Sequence, residues 1–150
     1  MIGKAKSITH TAASLEYAMS REQGEVLNKH FLTGETPKEI EKEMQMFQQL
    51  NSRCQNNTLS IVLSPSIEDG KRLTNAEFRT LSRDFLTKMG LQEHQSITVK
   101  HEDKEHAHLH IYVNRIDMQG QAYKDHFIGK EAQRIADLVA QERNLTRAKA

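Results

Sequence analysis

Four of the eight histidines in this chain fall within one short stretch, His101-Glu-Asp-Lys-Glu-His106-Ala-His108-Leu-His110-Ile-Tyr112-Val-Asn114-Arg115. Neutral imidazole is the commonest side-chain ligand for metal ions, so spacing decides what such a cluster does. In a strand, successive side chains point to opposite faces. Leu109, Ile111 and Val113 then share one face, and His108, His110, Tyr112 and Asn114 share the other. The two imidazoles stand about 7 Å apart along a polar face, close enough for both to converge on one ion. His101 is separated from them by the polar stretch Glu102 to Ala107, a hairpin-length connection that would bring it beside His108. His101 shares parity with Ile97 and Val99, so a regular strand would aim it at the core. A bulge or strand end is therefore expected at His101 to re-aim it. The pattern reads as a divalent-metal site of His101, His108 and His110, with His106 as a spare ligand of the same parity. Asp103 or Glu105 would orient a ligating ring through its other nitrogen. By ligand preference alone, such a site favours zinc or another late transition ion. The plainer alternative is a row of ordinary strand histidines, or a structural metal without chemistry.

An ion held there can act as a Lewis acid on a phosphodiester and orient it for in-line attack. A tyrosine is a suitable attacker, because a phenol of pKa about 10 ionises far more readily than an aliphatic alcohol and can leave again from a covalent intermediate. The chain has three tyrosines, at 17, 112 and 123. Tyr112 follows His110 on the same strand face. If Thr11 caps a short helix, Leu15, Ala18 and Met19 form its apolar stripe, and Tyr17 lies about 200° from Leu15, pointing away from the core. Tyr123 sits in a loop-like stretch, Gln121 to His126. The residues alone leave Tyr17 and Tyr112 both open.

The elements that position these groups have their own signals. Thr36-Pro37-Lys38-Glu39 and Thr74-Asn75-Ala76-Glu77 have the spacing of capping boxes, and Pro37 suits a first helical position. Ile40, Met44 and Phe47 form one helical stripe, Phe78, Leu81 and Phe85 another, with Gly90 as a stop. Ala132, Ile135, Ala136 and Val139 give a last helix, over Gly129 to Leu145, the same spacing. Strands are expected at residues 2–8, 57–64, 97–100 and 109–115. Residues 20–32 are ambiguous, with Val26, Leu27 and Phe31 permitting a further helix. The order implies an α+β layer with helices on one face of a mainly antiparallel sheet. On the open face, Lys4 and Lys6 share one parity and Thr98 and Lys100 another; with Arg115 these are candidates for tracking DNA phosphates.

Composition bounds the rest. The 150 residues are 37% hydrophobic and 27% charged, enough apolar material for one compact domain. The net charge of +1 gives no molecule-wide attraction to nucleic acid, so any such binding must rest on a local patch. Cys54 is the only cysteine, which excludes an intramolecular disulfide and a cysteine-rich zinc module. It reads as a small buried filler. No apolar run approaches a membrane span, and the N-terminus lacks a secretion signal, so a cytoplasmic protein is expected.

His108-Leu109-His110, preceded by His101-x-Asp103 and followed by Asn114-Arg115, resembles the signature of the relaxase/mobilisation nucleases. These belong to the larger endonuclease group named for a histidine–hydrophobic–histidine motif. Leu15-Glu16-Tyr17 resembles the family's N-terminal tyrosine motif, and residues 57–65 resemble the strand before its middle helix. The resemblance runs from about Lys4 to Asp117. It implies a central sheet of five antiparallel strands with helices packed on one face and an open metal-bearing face. It also implies manganese or magnesium on the three histidines, with later metals binding more tightly. Tyr17, with Tyr112 as the alternative, would attack a phosphodiester of single-stranded DNA at a plasmid or mobile-element transfer origin. The product would be a 5′-phosphotyrosyl intermediate and a free 3′-OH. Accessory mobilisation proteins and a bacterial cytoplasmic setting come with that reading. Relaxases usually continue well beyond this length, so residues 1–150 are expected to be a single nuclease domain, the N-terminal part of a longer protein. His106 stands where a non-histidine residue is commoner. Two rival readings are a rolling-circle replication initiator and a non-catalytic module binding single-stranded nucleic acid. The first usually carries its tyrosine on a helix after the histidine strand, and no tyrosine follows Tyr123. The second lacks its aromatic-rich strand signature here.

Overall fold

The computed structural model describes residues 1–9, 11–20, 24–103 and 106–148. The chain forms β1 (Ile2–Ile8), α1 (Thr11–Ser20), β2 (Gly24–His30), α2 (Pro37–Gln48), β3 (Thr58–Ser64), α3 (Ile67–Arg72), α4 (Asn75–Lys88), β4 (Ser96–Asp103), β5 (His106–Asn114) and α5 (Ile128–Glu142). The strands make one five-stranded sheet in the order β1-β3-β5-β4-β2, and every neighbouring pair is antiparallel. This is the expected α+β fold. Among the described residues, no helix is long and apolar enough to cross a membrane.

Local chemistry starts the helices where the sequence says. Thr36 accepts from the Glu39 amide while the Glu39 carboxylate accepts from the Thr36 amide, and Thr74 and Glu77 repeat the exchange at α4. Each box satisfies backbone donors that a helix start leaves unpaired. Gly90, at φ 78°, ends the α4 segment in the left-handed region.

The helix permitted within residues 20–32 is not formed; Gly24–His30 is β2, an edge strand on β4. The hydrogen-bonding row of β4 wins over the weak helical spacing. A register shift between Val26 and Asn28 lets Leu27 turn into the core, and Arg79 Nε donates to the Leu27 carbonyl at 3.0 Å.

Two apolar clusters lie on opposite sides of the sheet. On one side, Leu59, Ile61, Leu63, Leu109, Ile111 and Val113 pack under Phe78, Leu81 and Phe85 of α4 and Ala132, Ile135, Ala136 and Val139 of α5. Each such large side chain, fully buried, contributes roughly 1.5–3 kcal/mol. On the other side, Ile97, Val99 and Tyr112 meet Leu15 and Ala18 of α1, Leu32, and Ile40 and Met44 of α2. This second, smaller helical layer shares a face with the histidines. On that face Lys4 and Lys6 of β1 stay exposed, and Ser60 and Val62 of β3 stay half-buried.

Candidate metal centre

Strand register sets the site. His101 lies directly opposite His108, and Val99 opposite His110. Ring centroids of His101 and His110 are 4.3 Å apart, those of His108 and His110 6.5 Å, and those of His106 and His108 4.3 Å. The hairpin between β4 and β5 therefore gathers the three expected histidines on one face. The bulge expected at His101 is absent: pairing runs without a shift from Ser96 to Asp103, and the one irregularity lies in β2. None is needed, because Ile97 and Val99 serve the second core under α1 and α2. Parity with them carries His101 to the histidine face.

The tautomer of His101 is fixed from outside the strand. Its Nε2 lies 2.8 Å from the Ala18 carbonyl oxygen, which can only accept, so Nε2 carries the hydrogen. In the neutral ring Nδ1 is then a bare lone pair. It is buried, in a side chain only 2% exposed, and has no hydrogen-bond partner among the described residues. A buried acceptor left unpaired is costly, and such an atom in a native site calls for an ion or another ligand. His108 Nδ1 lies 2.9 Å from Ser64 Oγ at the end of β3. Burial, and then the neighbouring His106 and His101, hold the His108 imidazole below its ordinary value against the pull of Asp103. It is thus biased to the neutral form that ligates metal. His106 Nε2 donates to the Pro65 carbonyl at 3.1 Å.

Among the described residues, no three His, Cys, Asp or Glu side chains form a ready-made cage; the imidazoles are gathered without converging on a common point. The donor set nonetheless fits a divalent cation. It offers imidazole nitrogens and one buried lone pair that no described residue satisfies. Asp103 shares the face of His101 at the hairpin end, opposite His106 in the register. Glu105 lies outside the described residues.

Of the tyrosines, Tyr17 is 60% exposed on α1, one residue before the Ala18 that holds His101. Tyr112 is 5% exposed inside the second core, and burial, then the Tyr17 phenol, pushes its own phenol above the ordinary value. That coupling puts Tyr17 within electrostatic reach of Tyr112, one step along the face from His110. Tyr123 donates its hydroxyl to the Met89 carbonyl at 2.6 Å and is tied into the main core.

The cations divide. Lys4 pairs with Val62, which pairs with His110, and Lys6 pairs with Ser60, which pairs with Tyr112, so both lysines stand on the histidine face. Lys100 pairs with Leu109 and faces the opposite side, where it lies 5.5 Å from the Phe78 ring centroid, donates to Asn75 and bridges Glu25 and Glu102. Thr98 is buried on that same side. Arg115 is occupied with the Tyr123 and Asn56 carbonyls, Asp125 and the sulfur of Cys54. Lys100 and Arg115 thus serve the fold. Cys54 is only half-buried. The sequence did not single out two partners of the histidines. One, Ala18, acts through a backbone atom and leaves no residue-type signal; the other, Ser64, could have been found by carrying the β5 parity onto β3.

The sequence matches the family described as "Relaxase: MobA/VirD2-like, nuclease domain" over residues 17–145, a span that holds Tyr17 and all the clustered histidines. Among solved structures, the chain is similar to the MobM relaxase domain (MOBV; Mob_Pre) bound to 26-nucleotide pMV158 oriT DNA. The TM-score is 0.64 and the identity 14%, covering 99% of this chain and 90% of that one. At that identity the likeness speaks for the fold. No curated protein matches the sequence. The family match takes in most of the chain and every strand from β2 onward, so the protein belongs to the MobA/VirD2-like relaxase nuclease-domain family.

Proposed function

We propose that the domain nicks and rejoins single-stranded DNA at a transfer origin, with Tyr17 as nucleophile and His101, His108 and His110 holding a divalent ion. The observation that carries this reading is the buried Nδ1 of His101, unpartnered among the described residues, in a ring fixed through Ala18 on the helix that also carries the exposed Tyr17. Relaxase nuclease domains generally depend on a metal; manganese or magnesium is the working ion here, with zinc or another late transition ion binding more tightly. When bound, the ion offsets charge on the scissile phosphate as a Lewis acid.

The chain's own groups do the rest. The Ala18 carbonyl holds the His101 ring with its Nε2 hydrogen turned away from the site, and the Ser64 hydroxyl orients the His108 ring. Lys4 and Lys6, on the sheet rows of His110 and Tyr112, attract the strand's phosphates. Tyr17 Oη loses its proton and attacks phosphorus, the P–O3′ bond breaks, and the departing 3′ oxygen takes up a proton. One phosphate ester bond forms and one breaks, so attack by a 3′-hydroxyl on the phosphotyrosine restores the strand without a nucleotide cofactor. Tyr112 is poorly suited, because burial disfavours its phenolate. The solved neighbour bound to its plasmid's oriT DNA supports origin DNA as substrate. Plasmid or mobile-element transfer in a bacterial cytoplasm, with accessory mobilisation proteins at the origin, is the setting we infer.

The test is a labelled single strand carrying the origin, incubated with the domain and manganese and resolved under denaturing conditions. Wild type gives a protein–DNA adduct, Tyr17→Phe gives none, and Tyr112→Phe retains a measurable amount. The opposite pattern would transfer the nucleophile to Tyr112, and no adduct with any variant would remove the nuclease reading.

A further inference from the structure

We propose that Phe127 is a stacking platform for a base of the bound strand, with Lys124 and Lys130 holding the phosphates beside it; this rests on the single-strand reading above. Phe127 is 76% exposed, the most of any large apolar side chain among the described residues. Its backbone is left-handed, at φ 56°, a region that bulky L-residues rarely adopt. It occupies the N-cap of α5 but makes no side-chain capping bond, where Ser, Thr, Asp or Asn would serve the helix better. The ring belongs to neither apolar cluster. Neither helix formation nor core packing therefore accounts for a phenyl group there.

The surroundings favour a polyanion. Asp125 is engaged by Arg115 and Ser7, and Glu131 by Arg134. Lys130 lies with Nζ 5.7 Å from the Phe127 ring centroid, and Lys124 is exposed. Neither lysine has a carboxylate partner among the described residues. An aromatic face rimmed by unpaired cations is the combination that single-stranded nucleic acid uses, because every base offers a π-face and every link a phosphate. The position also adjoins the edge strand that carries the lysines. Ser7, next to Lys6 on β1 but on the opposite face with Leu59 of the main core, donates to Asp125 in the same loop. Phe127 thus stands on the α5 side of the β1 edge, and a strand leaving Lys4 and Lys6 reaches it by crossing that edge. Ser7 lies three residues and two strands from the His110 row, roughly 14 Å by strand geometry. Because the path also crosses the sheet edge, the stacked base lies several nucleotides from the reacting phosphate.

Binding of a fluorescein-labelled oligothymidylate, followed by anisotropy without metal, tests this. Phe127→Gly relieves the left-handed backbone, so its melting temperature should hold or rise while affinity falls on the order of 10- to 100-fold. Phe127→Trp should keep the affinity of wild type. Lys124→Gln and Lys130→Gln should each lower the slope of log K against log salt by about 0.7. Wild-type binding that Phe127→Gly leaves unchanged would overturn the platform alone, as it would if the ring docked a protein instead. Failure of wild type to bind would overturn the platform together with the single-strand reading.

Discussion

A carbonyl oxygen decides the chemistry of His101. Ala18 O accepts from Nε2, so that in the neutral ring the buried Nδ1 is an electron pair rather than a hydrogen. The hydroxyl of Ser64 orients the His108 ring with a single contact at 2.9 Å. Outer partners of ligating histidines fix ring orientation and basicity, and their loss typically weakens metal binding 10- to 100-fold. Ser64→Ala should therefore lower manganese affinity by about that factor in a calorimetric titration, with little change in melting temperature because Ser64 is half-buried at a strand end. Unchanged affinity would separate Ser64 from the metal site. At this scale much was legible. Period-two parity put His108, His110, Tyr112 and Asn114 on one face, and the hairpin spacing brought in His101. The differences over His101 and Lys100 have one cause: Ile97 and Val99 mark a core face, but not the main one. A sheet with apolar clusters on both sides gives two apolar parities, and one strand's pattern does not say which cluster it serves.

Elements carry the lysines into place, and β1 does so against α5. Gly3 is packed so closely that a Cβ there would lie 2.7 Å from Ala136 Cβ and 2.8 Å from the Ala132 carbonyl oxygen. Its amide donates to Gln133 Oε1, and Gln133 Nε2 donates back to the Met1 carbonyl. The neighbouring atoms are helix backbone and a methyl group, which cannot swing aside. Gly3→Ala should then force β1 and α5 apart at a cost of roughly 1–3 kcal/mol, read as a lower urea midpoint. Because Lys4 and Lys6 ride on that strand, DNA affinity should fall too; a midpoint equal to wild type would show that the contact relaxes freely. Elements with local start signals were legible, as the two capping boxes at Thr36 and Thr74 demonstrate. β2 was not, since its strand character comes from pairing with β4, some seventy residues away. Nor was α3, a six-residue helix too short to show a periodic stripe. Asn114 was placed on the correct face, but its role is a tertiary one. It is fully buried, donates to Gln95 and the Met44 carbonyl, and accepts from Gln48 and the Ile116 amide, thereby tying α2 to β5.

Across the whole molecule, the start of β1 is held by contacts far away in sequence. The Met1 amine donates to the Thr146 carbonyl, and the Thr146 amide donates to Asp69 Oδ2 at 2.7 Å. Asp69 also pairs with Arg72 at 2.5 Å and accepts from Ser66. Its side chain is 5% exposed. Burial alone would raise the carboxyl, but the bonds from Thr146, Arg72 and Ser66 outweigh it and hold the pKa at about 2, against 3.8 for an unperturbed aspartate. A carboxylate whose folded pKa is depressed binds its proton more readily when unfolded. Its stabilisation is therefore complete above the unfolded value and drains away as pH falls from about 4 through about 2. At about 1.4 kcal/mol per pKa unit, the linked contribution is about 2 kcal/mol. Other carboxylates, including Asp84, Asp125 and Glu131, are also held low, so the raw acid profile would not single out Asp69. The difference between wild type and Asp69→Asn does: it should be largest and flat from about pH 5 upward, then shrink by about 2 kcal/mol as pH falls to about 2. Urea unfolding at several pH values measures it. A difference that stayed constant with pH would mean that Asp69 is not the carboxylate through which acid loosens the clamp beside Lys4 and Lys6.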